Sequence, residues 1–217
     1  MTIEVDYIDH MGSDMRVANA ARVSYGKWKT EYDEKDARLI RYLAKHNHFT
    51  PFTHCQITLR ETVPLFVARQ RFKHVVGFTY NEISRRYVDS DPEFYSPSSW
   101  RGRPESSKQG SSGTVQLNHN LQDAVGFHRS SQLDLYRELI RVGVSPEQAR
   151  MVLPQSMLTS YVVTGSLAAY ARAYRLRIAR DSQLEIQKLA LHWHIIMNRL
   201  FPDSWSALID YEVSEET

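Results

Sequence analysis

The sequence predicts a mixed α+β fold, and three observations carry that reading. Residues Ile3 to Ile8 alternate apolar and polar side chains with the period of a half-buried strand. Two further runs, Cys55 to Val63 and Ser156 to Thr164, have strand length and are rich in β-branched residues. Segments with helical apolar spacing separate and follow them, with no internal repeat and no linker to divide the chain. The 217 residues therefore read as one unit over 1–217, long enough to bury a substantial core.

After the first strand, Asp14 to Val23 reads as a short helix opened by a cap at Ser13 or Asp14. Glu34 to Lys45 places Ala37, Ile40, Leu43 and Ala44 on one helical face. His46 to His54 reads as a loop bent by Pro51, and Pro64 ends the strand that follows. Leu65 to His74 is predicted helical, with a polar loop after it. The stretch 96–116 is rich in Ser, Gly, Pro and Arg and reads as a mobile surface loop or a lid. Leu117 to Val142 is a long helix with Gly126 as a candidate break. Ser145-Pro-Glu-Gln148 has the order of a capping box and starts a short helix that Pro154 stops. Two helices, about Leu167 to Arg175 and Ser182 to Phe201, close the chain.

Composition bounds the function. A net charge of +2 creates no global field to recruit nucleic acid, so any anion preference is local. The lone cysteine, Cys55, excludes an intramolecular disulfide. On a strand, His54 and Cys55 point to opposite faces, so Cys55 is expected to be a small buried hydrophobe rather than half of a catalytic couple. His46, His48 and His54, and the pair His192 and His194, lack the partners of a metal site, and none is expected. On a helix the last two would point about 200° apart. The first residues lack the basic and apolar blocks of a signal peptide, and no apolar run nears the roughly 20 residues that span a bilayer. A soluble, cytoplasmic protein without membrane contact is the simplest expectation.

Local anion chemistry concentrates between Arg69 and Tyr87, where Arg69, Arg71, Lys73, His74, Arg85 and Arg86 stand among hydrogen-bonding side chains. Guanidinium groups bind phosphate oxygens bidentately, so such a stretch suits a phosphate-bearing small molecule. A solvated basic surface is the competing reading. The order Tyr80-Asn-Glu-Ile-Ser-Arg-Arg-Tyr87 decides between them, because it resembles the N-E-x-S-x-R-Y half of the signature of flavin-dependent thymidylate synthases.

Four more segments are similar to that family, in order. They are Ala20-Ala-Arg-Val-Ser-Tyr25, His46-Asn-His-Phe-Thr-Pro-Phe-Thr-His54, Ala149-Arg-Met-Val-Leu-Pro154 and Leu176-Arg-Ile-Ala-Arg-Asp-Ser-Gln-Leu-Glu-Ile186. The resemblance implies an α+β fold with a central antiparallel-rich sheet and long helices, in a homotetramer with active sites between subunits. It implies a methyltransferase that makes dTMP from dUMP, with methylenetetrahydrofolate as one-carbon donor and NADPH-reduced FAD as hydride donor. Carried over by position, Gln70, Lys73, Glu82, Ser84, Arg85, Arg86, Arg150 and Arg177 would hold dUMP. Ser24, His48, Thr50, Lys73, His74, Val75, Glu82, Ser166 and Arg172 would hold FAD. Arg177 would be catalytic, contacting the pyrimidine edge.

The sequence departs from the family pattern at two places. Its R-H-R triplet stands here as Lys73-His74-Val75, with one extra residue before Tyr80, and Arg71 is a candidate for the missing cation. Its N-x-R stands as Ser166-Leu-Ala168, with Arg172 and Arg175 further along to compensate. Two other functions stay open on the residues: a related flavin-dependent enzyme with another one-carbon product, such as a hydroxymethyl pyrimidine, and a non-enzymatic nucleotide- or RNA-binding protein.

Overall fold

The computed structural model describes residues 3–105 and 109–210. The chain opens with β1 (Glu4–Met11), α1 (Asp14–Arg22), α2 (Glu34–Lys45), α3 (Thr50–Thr53), β2 (Gln56–Pro64) and α4 (Leu65–Arg71). Next come β3 (Phe78–Glu82), β4 (Trp100–Gly102), β5 (Ser112–Val115) and α5 (His119–Arg141). It closes with α6 (Pro146–Ala149), β6 (Leu158–Ser166), α7 (Leu167–Arg177), α8 (Leu184–Leu200) and α9 (Pro202–Ile209). Four strands form one antiparallel sheet in the order β1-β2-β6-β3, and β4 pairs with β5 as a separate hairpin. The fold is mixed α+β, as the sequence predicts.

Alternation builds the core face of the sheet. Ile57, Leu59, Glu61 and Val63 are buried on β2, opposite Gly165, Val163, Tyr161 and Thr159 of β6. Gly165 must lack a side chain, because a Cβ there would lie 2.3 Å from the ring of Phe78. The other face carries Thr58, Arg60, Thr62 and Ser160, joined by hydroxyl contacts such as Thr58 to Thr164 at 2.9 Å. On β1 the pairing register shifts between Tyr7 and Asp9, which leaves Ile8 as the extra residue of a bulge. That bulge explains why alternation ends at Ile8 in the sequence while the strand runs on to Met11.

One large apolar cluster beneath the sheet joins β2 and β6 to α1, α2, α7, α8 and α9. Along α8 the stripe Ile186, Leu189, Ala190, Trp193 and Met197 is buried at helical spacing. A smaller cluster around Tyr136, Ala149, Leu153 and Met157 holds α5 and α6 against Leu65 and Phe94.

Several local expectations change. Thr50–Thr53 is a helical turn with Pro51 in its first turn, not a loop, since proline is tolerated there. α4 ends at Arg71, three residues early, and Phe78–Glu82 is an edge strand rather than loop. α5 passes through Gly126 unbroken. Ser145 occupies the cap position of α6, but its side chain makes no cap hydrogen bond. The polar stretch 96–116 contains the β4–β5 hairpin, with residues 106–108 outside the described ones. α9 has no counterpart among the sequence expectations. Its first N–H groups, on Asp203 and Ser204, donate to Asp14 at 3.1 and 2.9 Å. Asp14 therefore caps a helix about 190 residues away, and Ser13 takes the cap position of α1. Among the described residues, no helix is long and apolar enough to cross a membrane.

Arg71 and Glu61 form an ion pair in which both side chains are fully buried. Arg71 Nε donates to Glu61 Oε2 at 3.0 Å and its NH2 to Oε1 at 3.3 Å. Tyr161 and Trp193 donate to the same carboxylate at 2.6 and 2.8 Å. The guanidinium lies over the rings of Phe78 and Trp193, 4.3 and 4.6 Å from their centroids. Burial works against the charge on Arg71, but Glu61 holds its pKa above the ordinary arginine value. The substitution Glu61→Leu leaves that cation buried and unpaired, and we expect it to cost about 3–5 kcal/mol in chemical denaturation. A loss below about 1 kcal/mol, the scale of an exposed pair, would show that the pair is not a structural anchor.

Candidate active site

Arg71 ties the signature stretch to the core of the fold. α4 starts where Pro64 leaves β2 and ends as Arg71 turns inward to Glu61. Arg71 is thus a structural cation, enclosed by aromatic rings, and does not replace a missing phosphate ligand. Its NH1 donates to Tyr80 Oη at 2.7 Å, and that hydroxyl donates to the carbonyl of His74 at 2.7 Å. The loop between α4 and β3 is pinned from below in this way. It turns at Gly77, with φ +78°, where a Cβ would meet Ala169 at 2.9 Å.

α7 lies along this loop and reaches it twice. Arg172 donates to the carbonyl of Val76 at 2.6 Å. Arg177 Nε donates to His74 Nε2 at 2.8 Å, and its NH2 lies 3.5 Å from the carbonyl of Gln70. Gln70 Nε2 in turn donates to Gln183 Oε1 at 2.5 Å, at the start of α8. Gln70, His74, Arg177 and Gln183 form one connected cluster. Because Nε2 accepts from a guanidinium, the imidazole is neutral with its proton on Nδ1. Burial, then the charges of Arg177, Arg71 and Arg172, push the His74 pKa down to about 4. Burial and the Arg71 charge hold Arg177 below the usual arginine range.

A cleft of about 610 Å³ opens at the start of α7, between Phe49 and Phe52 on one side and Val76 and Gly77 on the other. Ser166 caps α7 by accepting from the Ala169 N–H at 3.2 Å, and both Arg172 and Arg175 line the cleft. A second cleft of about 700 Å³ carries Ser24, His48 and Thr50 and shares Leu43, Asn47 and Phe49 with the first. Val75 and Lys73 are exposed on the connecting loop. These residues fit a flavin dinucleotide: apolar and aromatic walls suit ring systems, and two arginines beyond Ala168 suit phosphate.

The remaining residues sit elsewhere. Glu82 accepts from Thr159 Oγ1 at 2.5 Å at the far end of β3. Four residue steps of about 3.3 Å put it roughly 13 Å along the strand from Phe78. Beyond it, Ser84 Oγ accepts from Arg86, Arg86 lies 5.0 Å over the Tyr87 ring, and Arg85 donates to the Ser90 carbonyl. Arg150 is exposed in the turn after α6 and donates to the Glu147 carbonyl at 3.2 Å. No described contact joins Arg150 to the Arg177 cluster.

Two features escape sequence reasoning. In the sequence Gln183 and Glu185 are only motif members, yet Gln183 meets Gln70 and Glu185 binds Arg101 at 2.7 Å, tying the β4–β5 hairpin to α8. Tyr80 reads there as a signature residue, whereas its hydroxyl supports the loop. Cys55 is fully buried, its Sγ donates to the Ser13 carbonyl at 3.6 Å, and burial pushes its thiol up to about 12. Such a thiol is no nucleophile.

Two adjoining clefts with arginine at their walls and a half-buried guanidinium–amide cluster give this α+β protein local sites suited to anions. A family model described as "Thymidylate synthase complementing protein" matches residues 6–203. A flavin-dependent thymidylate synthase of Thermosipho africanus is 36% identical over 206 residues, covering 94% of this chain and 90% of the relative. One from Thermus thermophilus is 36% identical over 210 residues, covering 95% and 76%. The chain belongs to the flavin-dependent thymidylate synthase family. The crystal structure of the UMP/dUMP methylase PolB from Streptomyces cacaoi, bound with 5-Br dUMP, is similar with a TM-score of 0.87 and 27% identity, over 96% of this chain and 95% of that one.

Two outcomes test this geometry. The native protein should resist thiol alkylation at about pH 8 and react only when unfolded; rapid labelling of the folded protein would contradict the buried thiol. His74 titrates near 4 when folded, against an ordinary value of 6.5. Between those values the unfolded chain binds more protons, so its stabilising contribution is complete above about 6.5 and is lost as pH falls through 4. The stability of the wild type relative to His74→Gln should therefore decline from about pH 7 to pH 4. A difference independent of pH would mean the ring is not held neutral.

Proposed function

We propose that the protein makes dTMP from dUMP, taking a methylene from methylenetetrahydrofolate, as a cytoplasmic homotetramer. FAD, once reduced by NADPH, would supply the hydride that completes the methyl group. The observation that carries this reading is the cluster of Gln70, Arg177 and Gln183: a half-buried guanidinium beside two amides, the groups that a uracil edge requires.

Arg177 faces O and N acceptors of the pyrimidine and favours the N3-deprotonated, enolate-like ring, which makes C5 more nucleophilic. Gln70 and Gln183 orient that ring. Lys73, Ser84, Arg85, Arg86 and Arg150 bind the phosphate, and Glu82 lies between nucleotide and flavin. Ser24, His48, Thr50, Lys73, His74, Val75, Ser166 and Arg172 bind FAD. Assembly would close the distance between these groups. α5 favours it, since Tyr136 is its one buried residue while Leu121, Val125, Phe127 and Leu135 are exposed.

A second reading, a flavin-dependent enzyme that modifies UMP as well as dUMP, draws on the likeness to the UMP/dUMP methylase. Product analysis with each nucleotide decides between them and also detects a hydroxymethyl product.

The purified protein should show flavin absorbance near about 450 nm that bleaches with NADPH. A colourless protein that takes up no FAD would overturn the proposal in favour of a nucleotide- or RNA-binding function. Arg177→Ala should keep flavin and fold but lose methylation, and retained turnover would remove Arg177 from the mechanism. Arg150→Ala should weaken dUMP by about 1.5–3 kcal/mol, the loss of a charge-assisted contact. Unchanged dUMP affinity would place the phosphate elsewhere.

A further inference from the structure

We propose that His74 is the positioning residue for Arg177, presenting a bare imidazole nitrogen that orients the guanidinium toward the pyrimidine of the nucleotide. This rests on the reading of Arg177 as a dUMP contact. It gives His74 a task in addition to the flavin contact that its place in the signature implies.

The geometry is specific. An arginine at the end of a helix has several free torsions, and a single acceptor on Nε selects one orientation of the guanidinium plane. His74 Nε2 is that acceptor, at 2.8 Å. The Arg177 NH2 lies 3.5 Å from the Gln70 carbonyl, which leaves its guanidinium edge largely uncommitted. A carboxylate at position 74 would hold Arg177 more tightly but would neutralise it. A neutral imidazole orients the cation and leaves its charge for substrate.

Burial and the cations around it keep the His74 ring neutral. Arg71 approaches from the end of α4, and Arg172 and Arg177 approach from α7. Tyr80 of β3 donates to the His74 carbonyl and holds its backbone, and Arg71 holds Tyr80 through its own donor at 2.7 Å. Burial, and then these three cations, disfavour the imidazolium, so Nε2 stays an acceptor through the neutral range. Protonation would turn that acceptor into a donor facing a donor and would release Arg177.

His74→Phe removes the acceptor and keeps an aromatic ring, whereas His74→Gln places an amide oxygen near the position of Nε2. Calorimetric titration of dUMP into the flavin-loaded oxidised proteins reads binding without turnover. We expect His74→Phe to lose about tenfold or more in dUMP affinity, the scale of one charged hydrogen bond. His74→Gln should recover most of that loss. Equal dUMP affinity in all three proteins, equal losses in both variants, or a loss confined to FAD would each overturn the proposal. Nitrogen NMR of the unmutated protein gives a check that needs no variant. His74 should carry its proton on Nδ1 with Nε2 bare at about pH 6, above its folded pKa of about 4, and a protonated Nε2 would refute the arrangement. Wild-type protein that binds neither FAD nor dUMP would instead overturn the parent reading, and this inference with it.

Discussion

The buried pair of Arg71 and Glu61 is the interaction on which the rest of the site depends. Both glutamate oxygens accept twice, from Arg71 together with Tyr161 or Trp193, so the carboxylate has no unmet acceptor. The remaining guanidinium nitrogen holds Tyr80, and Tyr80 holds the backbone of His74. A charge this deep is tolerated only when it is paired and enclosed, and here aromatic faces complete the enclosure. The chain of contacts runs from the core of the sheet to the half-buried Arg177. Its rigidity gives a loop of polar residues the precision of the packed core beneath it.

The second constraint is separation. β3 is an edge strand that carries the turn at Gly77 at one end and Glu82 at the other, so the residues proposed for the cofactor and those proposed for the phosphate lie at opposite ends of one element. Arg150, in the turn after α6, belongs to neither end. On α5, Leu121, Val125, Phe127 and Leu135 are exposed while Leu133, Leu139 and Ile140 pack inward, so the helix offers apolar surface that association could cover.

Helices with strong periodicity were legible because their burial follows from their own spacing. In α2, Ala37, Ile40, Leu43 and Ala44 are buried as the sequence requires. Elements whose boundaries depend on partners were not legible. α9 is capped by Asp14, which no local pattern could reveal, and β3 exists because β6 offers it a free edge. Arg71 shows the same limit inside the site. In sequence it is one more cation in a basic stretch, and only the position of Glu61 on the inward face of β2 reveals its structural role. A carboxylate in the core-facing phase of a strand was the available signal that this cation is committed elsewhere.

By itself the sequence determined the fold class, the family through its ordered motifs, and the residue types available for binding a nucleotide. These are properties of composition and order along the chain. Tertiary structure alone decided which cations serve the core and which face a cleft, because pairing and burial depend on residues distant in sequence. It set Arg71 aside for the core, brought Arg172 and Arg175 to the cleft wall beyond Ala168, and set His74 against Arg177 across 103 residues. Charge acts through distance in space, and only the fold sets that distance.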